Sequence, residues 1–537
     1  MTTGFRISIV LVATTALLLS CAKAPAPRSD RTIAILVDTV HSHEGHPSFR
    51  FTPGEFRYDH AHTTRRLMEH LSNNGFSYTI FKDGELTSDV LKRFDILFMN
   101  VTTTALAPIS DDERKAIWDF VARGGGLFWV YEHTNYYGNA VTSDPVMEKC
   151  GIQAMYGTAN EKPFSKYACF ESGHWVVIRN FSRHPINRGV DAISLYSGCA
   201  FKTKHGTAFL SKNGWVDLGD DHIKEERNRK RDPGEPRGAL PVVAATEFEK
   251  GRVVAVGDHN LIGAQWIGVG DNLKWTLNAF AWLARKEGER PHLGDTRISG
   301  LQVGFDLEHS KWNIGSRSKD GFHAFHAGFG RNEKVFAHGM TTLDSAHDVL
   351  VLTDPMVQFT PSELDIVAAH FAKGRKVVLV TDIEDPAPGS LQLLKRFAPS
   401  ILEAPSTLTR INGSYLPIES PAFDTEGLEV AALFHEDVTH RRFPGRISRY
   451  ADNAVPYLLD VRMDLGEPLL SAVTEDDRRV TIGRQIPIEE GMLILILQGR
   501  IWMNNTLGFY NEAPIKENRD AHKLHDRFIQ WLVDSHG

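Results

Sequence analysis

The sequence predicts an α/β protein of two tandem, doubly wound parallel-sheet domains, each with an antiparallel insertion. Two observations carry this. Short apolar runs rich in branched and aromatic residues alternate with amphipathic stretches bearing helix caps and glycine stops, the pattern of β-α-β units. The same order of runs then appears a second time within the 537 residues, a length sufficient for several domains.

The first unit opens with the strand "RTIAILVDT" (31–39), a His-rich loop and the helix "HTTRRLMEHLSNNGF". The strand "FDILFMNV" (94–101) leads to "ISDDERKAIWDFVARGGG", a helix with a Ser/Asp cap at its start and glycines at its end. Next comes "GGGLFWVYEHTNYYGN" (124–139), an apolar run that breaks into Glu132, His133, Thr134 and Asn135. "KGRVVAVGDHN" adds a strand, and "DNLKWTLNAFAWLARK" is the closing helix.

The second unit repeats this order. "SGLQVGFDLEHS" (299–310) is its first strand and loop, and residues 347–385 match 94–133 element by element. "EGMLILILQGR" (490–500) parallels the 250–260 strand, and "AHKLHDRFIQWLVD" (521–534) parallels the closing helix. The expected domains are 31–287 and 297–537, separated near "KEGERPHLGDT" (286–296).

Residues 1–20 read as a leader: Arg6 precedes the apolar run "ISIVLVATTALLLS", short for a bilayer span and suited to a signal-peptide core. The run ends in Leu18-Leu19-Ser20-Cys21, which resembles the bacterial lipobox, in which the cysteine is acylated; residues 21–30 then form a Pro/Ala tether. The alternative is an ordinary cleaved signal with an incidental cysteine. With Ala22 after the cysteine, the resemblance implies the outer membrane of a Gram-negative host, the lipid bilayer being engaged through Cys21. Of Cys150, Cys169 and Cys199, two could pair in an oxidising compartment, with the connectivity open. A formal charge of −7 argues against a general nucleic-acid binder, and the mixed-sign run Lys224–Arg231 reads as a solvated loop.

The order "D-ILF-N … GGG-LFWVYEHTNYYG … GRVVAVGDHN … LNAFAWL" resembles the class I glutamine amidotransferase-like superfamily, closest to its ThuA-like and gliding-motility transporter auxiliary-like branch. The resemblance implies flavodoxin-like domains, covering about 31–285 well and 299–535 weakly. It also implies a cysteine nucleophile at the turn after the glycine-rich helix end, activated by a distant His-Glu pair. Here that turn holds Glu132 and His133 in the first copy and Asp382 and Glu384 in the second. Without a thiolate there, no acyl intermediate can form by that route.

Loops that follow successive parallel strands converge at one sheet edge. The first copy supplies Asp38, His41, His43, Glu44 and His46 from one such loop, and Asn100, Thr102 and Thr103 from another. Glu132, His133, Asn135, Tyr136 and Asn139 come from the turn, with Asp258, His259 and Asn260 from "VGDHN". The expected ligand-binding set is Asp38, His41, Glu132, His133, Asn135, Asp258 and His259, with Trp266 at the cleft mouth. Imidazole beside carboxylate serves an acid–base pair or a divalent metal. Hence the alternatives: Glu132 and His133 as catalytic groups, and His41, His43 and His46 as metal ligands. No HExxH or CxxC spacing fixes a metal geometry. The second rim (Asp306, Glu308, His309, Asp354, Asp382, Glu384, Asp385) reads as surface acids. The expected function is that of a lipid-anchored envelope protein binding a small polar, carbohydrate-like ligand or an envelope partner. The rival is a metal-assisted hydrolase or isomerase of a sugar-like substrate.

Overall fold

The computed structural model describes residues 32–43, 45–49, 62–224, 228, 230–286, 300–316, 321–383, 385–404, 406–410, 415–431, 457–461, 465–503, 507 and 519–536. The leader (1–20), the tether (21–30) with Cys21, and residues 287–296 of the expected boundary lie outside the described residues, as do Glu44 and Glu384.

Each apolar run forms a strand whose alternate side chains enter two different cores. The first sheet contains β1 (Ile33–Asp38), β2 (Phe76–Phe81), β3 (Ile96–Asn100), β4 (Gly126–Val130), β5 (Asn180–Phe181), β6 (Gly206–Phe209), β7 (Pro241–Phe248) and β8 (Gly251–Val256). Its order is β2-β1-β3-β4-β8-β7-β6-β5. The neighbours from β2 to β8 run parallel, and β7, β6 and β5 continue antiparallel. In β3, Ile96 and Phe98 pack on one side with helices α1 (Arg65–Asn73) and α4 (Asn272–Leu283). Leu97 and Met99 pack on the other with α2 (Asp111–Ala122) and α3 (Asn139–Met147). A strand covered on both faces reads as a continuous apolar run, as these do.

The second sheet contains β9 (Leu301–Asp306), β10 (Val335–Met340), β11 (Val349–Thr353), β12 (Lys376–Val380), β13 (Tyr415–Glu419), β14 (Glu429–Ala431), β15 (Glu467–Val473), β16 (Arg479–Ile488) and β17 (Gly491–Ile496). Its order, β10-β9-β11-β12-β17-β16-β15-β13-β14, again joins a five-stranded parallel block to an antiparallel extension. Helices α5 (His323–Arg331) and α7 (Arg519–Asp534) cover one face and α6 (Pro361–Ala372) the other. The chain is thus a mixed α/β protein. Among the described residues, no helix is long and apolar enough to cross a membrane.

The described residues from Ile33 onward form one compact unit, in which the two sheets share a core. Trp175, Tyr196 and Trp266 belong to the same apolar cluster as Phe305, Phe325 and Ile496. Trp266, expected at a cleft mouth, is instead fully buried, with its ring 4.7 Å from His323, 5.1 Å from His326 and 4.5 Å from Tyr196. The glycine-rich loop that carries it explains the difference. Gly268 and Gly270 exchange backbone hydrogen bonds of 2.8 and 2.9 Å with Gly339 of β10, and a Cβ on Gly268 would lie 2.2 Å from the Ala337 carbonyl. The glycines permit a backbone seam between the two halves, and the seam carries Trp266 inward. The three cysteines are free and buried, which corrects the expected pairing: each packs as a small apolar side chain, Cys169 in one cluster and Cys150 and Cys199 in another.

Candidate functional site

The loops that follow β1, β3, β4 and β8 meet at one edge of the first sheet. Ser42 bridges to Thr102, and the Asn139 amide donates to the Thr102 carbonyl at 2.8 Å. Asn139 also accepts from the Glu132 backbone N–H at 3.0 Å, which fixes the residue just past β4. Across the gap, Gly257 ends β8 against Cys199; a Cβ there would lie 2.2 Å from the Cys199 carbonyl. Only glycine fits, and it aims the next two residues, Asp258 and His259, at Glu132.

These residues form a buried polar group. Glu132 Oε2 hydrogen-bonds His259 Nδ1, and Oε1 accepts the His133 backbone N–H at 2.8 Å. His259 Nε2 lies 3.1 Å from Nδ1 of His62. One ligand atom each from Glu132, Asp258 and His259 lies within 4.8 Å of the others, and all three residues are buried. Among the described residues this is the grouping that could hold a metal ion. Asp258 also accepts from the backbone N–H of Tyr196, and from the backbone and side-chain amides of Asn260 at 2.8 and 2.9 Å. Burial, then the Glu132 charge, pushes the Asp258 carboxyl up to about 7, against the opposing pull of His259 and Asn260. Burial, then Glu132, Asp144 and Asp258, likewise holds the nearby Cys199 thiol far above its ordinary range, so it is no nucleophile.

His133 stands nearer the surface, with Nδ1 2.5 Å from the Thr134 hydroxyl, which donates to Asp221 at 2.6 Å. Asn135 ties the turn together: its amide donates to the Asp220 carboxylate at 2.9 Å and its side-chain carbonyl accepts from Ala140 N–H at 2.9 Å.

Asp38 and His41 build a separate clamp. His41 Nδ1 pairs with Asp38 at 2.9 Å and Nε2 with Glu113 at 3.3 Å. Burial opposes a charge on His41, but Asp38 and then Glu113 outweigh it and raise its proton affinity. Glu113 is the capping-box glutamate of α2, paired with Ser110. The second sheet repeats the device: His309 pairs with Asp306 at 2.9 Å and with Glu363 at 3.4 Å, and Glu363 forms the capping box of α6 with Thr360. The three loop histidines therefore have different neighbours. His41 has the clamp, His43 sits 5.6 Å from the Tyr137 ring, and His46 Nδ1 lies 2.7 Å from the Ser48 hydroxyl.

Two participants escaped the sequence-based set: Glu113 was legible as the fourth residue of Ser-x-x-Glu, and Asp221 lies in an insertion far along the chain.

No family model matches the chain, and no curated protein matches it. Solved structures similar to about half of it include a ThuA-like protein from Bacteroides uniformis, at 19% identity over 51% of this chain and 99% of that chain, TM-score 0.30. A ThuA-like protein from Parabacteroides merdae matches at 9% identity over 49% of this chain and 93% of that chain, TM-score 0.28. An exo-β-1,4-mannosidase from an Opitutaceae bacterium matches at 12% identity over 47% of this chain and 36% of that chain, TM-score 0.25.

Proposed function

We propose that this protein is anchored in the cell envelope through acylated Cys21 and binds a small polar, carbohydrate-like ligand, or an envelope partner, at the edge bearing Glu132, His133 and His259. On this reading the chain holds two flavodoxin-like copies, at 31–287 and 297–537, of a class I amidotransferase-like fold without its nucleophilic cysteine. The first copy carries the site. The observation that carries the proposal is the pairing of buried Glu132 with His259 behind the part-exposed His133, where four loops meet. A carboxylate and imidazoles in a water-poor setting suit hydroxyl-rich ligands, because each polar contact there is stronger than in water.

The test is a thermal-shift screen of neutral and acidic sugars against the full chain and its Glu132→Gln variant. A sugar that stabilises the wild type, and stabilises the variant less, supports the reading. A screen in which no sugar discriminates the two chains removes it.

A second reading, a metal-assisted hydrolase or isomerase, is favoured by the Glu132, Asp258 and His259 grouping. Two buried carboxylates close together call for a cation or a proton between them. A divalent metal would lower the proton affinity of a bound water, with Glu132 or His133 as base. Equilibrium dialysis against zinc or manganese, followed by elemental analysis, should then find one equivalent in the wild type and none in a Glu132→Gln/His259→Ala chain.

A further inference from the structure

Beside the buried group, the turn His133–Gly138 presents an aromatic ring at the surface, that of Tyr137. Tyr137 is 52% exposed, and the half-buried Tyr136, packed against the core, braces it with ring centroids 4.3 Å apart and planes tilted by 59°. The Tyr137 backbone is left-handed, φ +46°, a conformation that bulky residues rarely adopt and that costs free energy. Neighbouring contacts hold it there. The Tyr137 carbonyl accepts from both the backbone N–H and the hydroxyl of Thr104, each at 3.0 Å. Thr134 and Asn135, also left-handed, are tied to Asp221 and Asp220 at 2.6 and 2.9 Å. An aromatic ring in water gains nothing from such a mounting by itself.

Polar groups flank the rings. His133 lies 5.6 Å from Tyr136, and the Asp221 carboxylate, 34% exposed, sits 3.7 Å from His133 Nδ1. An aromatic surface bordered by a carboxylate and an imidazole complements a ligand with one apolar C–H face and a rim of hydroxyls. A pyranose chair has that shape. An open-chain polyol has the hydroxyls but no fixed apolar face.

We propose that the exposed ring of Tyr137, braced by Tyr136, is the stacking platform for a hexopyranose ring, with His133 and Asp221 set to take hydrogen bonds from its hydroxyls. This rests on the reading that the edge binds a polar ligand, and it adds the residues that select a ring over an open chain. The ring's axial C–H groups lie on tyrosine, as apolar groups do on aromatic faces, and the hydroxyls meet the polar border.

The test uses the full chain in detergent micelles, saturation-transfer NMR, and three probes: methyl β-D-glucopyranoside, methyl α-D-mannopyranoside and sorbitol. At least one glycoside should receive saturation at its ring C–H protons, and sorbitol none. Tyr137→Ala should weaken glycoside binding about tenfold, while Tyr137→Phe stays within about twofold. Tyr137→Gly relieves the left-handed backbone, so it should fold at least as well yet lose the same binding. Glycoside binding unchanged in Tyr137→Ala and Tyr137→Gly overturns the platform, as does absence of binding by both glycosides. Sorbitol binding that depends on Glu132 but not on Tyr137 also overturns it, while leaving the polar-ligand reading standing.

Discussion

Replacing Glu132 by glutamine in the metal-free chain should lower the proton affinity of Asp258. Glutamine keeps the size of the side chain and one acceptor oxygen but removes the charge. Ligand atoms of Glu132, Asp258 and His259 lie within 4.8 Å of one another. At that separation two unit charges repel by about 3 kcal/mol at an effective dielectric of about 20, worth about 2 pH units. His259 stands beside both and offsets part of this, so a fall of about 1–2 units from the wild-type value of about 7 is expected. Burial, the larger cause, remains, so Asp258 should stay above the ordinary carboxylate range. The sign carries into stability. A carboxyl raised in the folded state contributes stability that is present at acid pH and lost as pH rises through its folded value, here near 7. The variant should therefore lose less stability between pH 5 and 8 than the wild type. Carbon-13 NMR titration of the Asp258 carboxyl reads the first effect, and urea unfolding across pH reads the second. An Asp258 midpoint unmoved by Glu132→Gln would refute the electrostatic coupling, and with it the case for a shared cation.

Cys21→Ser should move the protein from the membrane to the soluble fraction or block its processing; unchanged fractionation removes the anchor. His41→Gln should abolish stability that the clamp supplies at lower pH: a histidine raised by Asp38 and Glu113 contributes most below its unfolded value and loses that contribution as pH rises through its folded one. Urea midpoints of wild type and variant should then differ most at acid pH and converge at alkaline pH. Trp266→Ala should cost about 3–5 kcal/mol, because the fully buried ring fills the core shared by both halves. Denaturant unfolding followed at both halves checks that, and a loss under about 1 kcal/mol would mean the seam is not packed as described.

Sequence by itself determined the strands and helices of both parallel blocks, because burial on two faces leaves long apolar runs and helix ends carry local caps. The run 94–101 contains β3, and Ser110 caps α2. It also marked Glu132 and His259, since charged residues directly after buried strands stand out. Only the tertiary structure decided which of those residues face each other. Glu132 reaches His259 and, through it, His62, while Asp38 holds His41, which turns to Glu113 instead. Partners 127 and 197 residues apart leave no local signal, because their meeting depends on the order of strands in the sheet. Trp266 and the cysteines went the same way. Their surroundings look polar or glycine-rich to a local reading, but their side chains enter cores that include chain a hundred or more residues away. Periodicity encodes which face of an element is apolar; what covers that face is set by packing, which no single stretch of sequence contains.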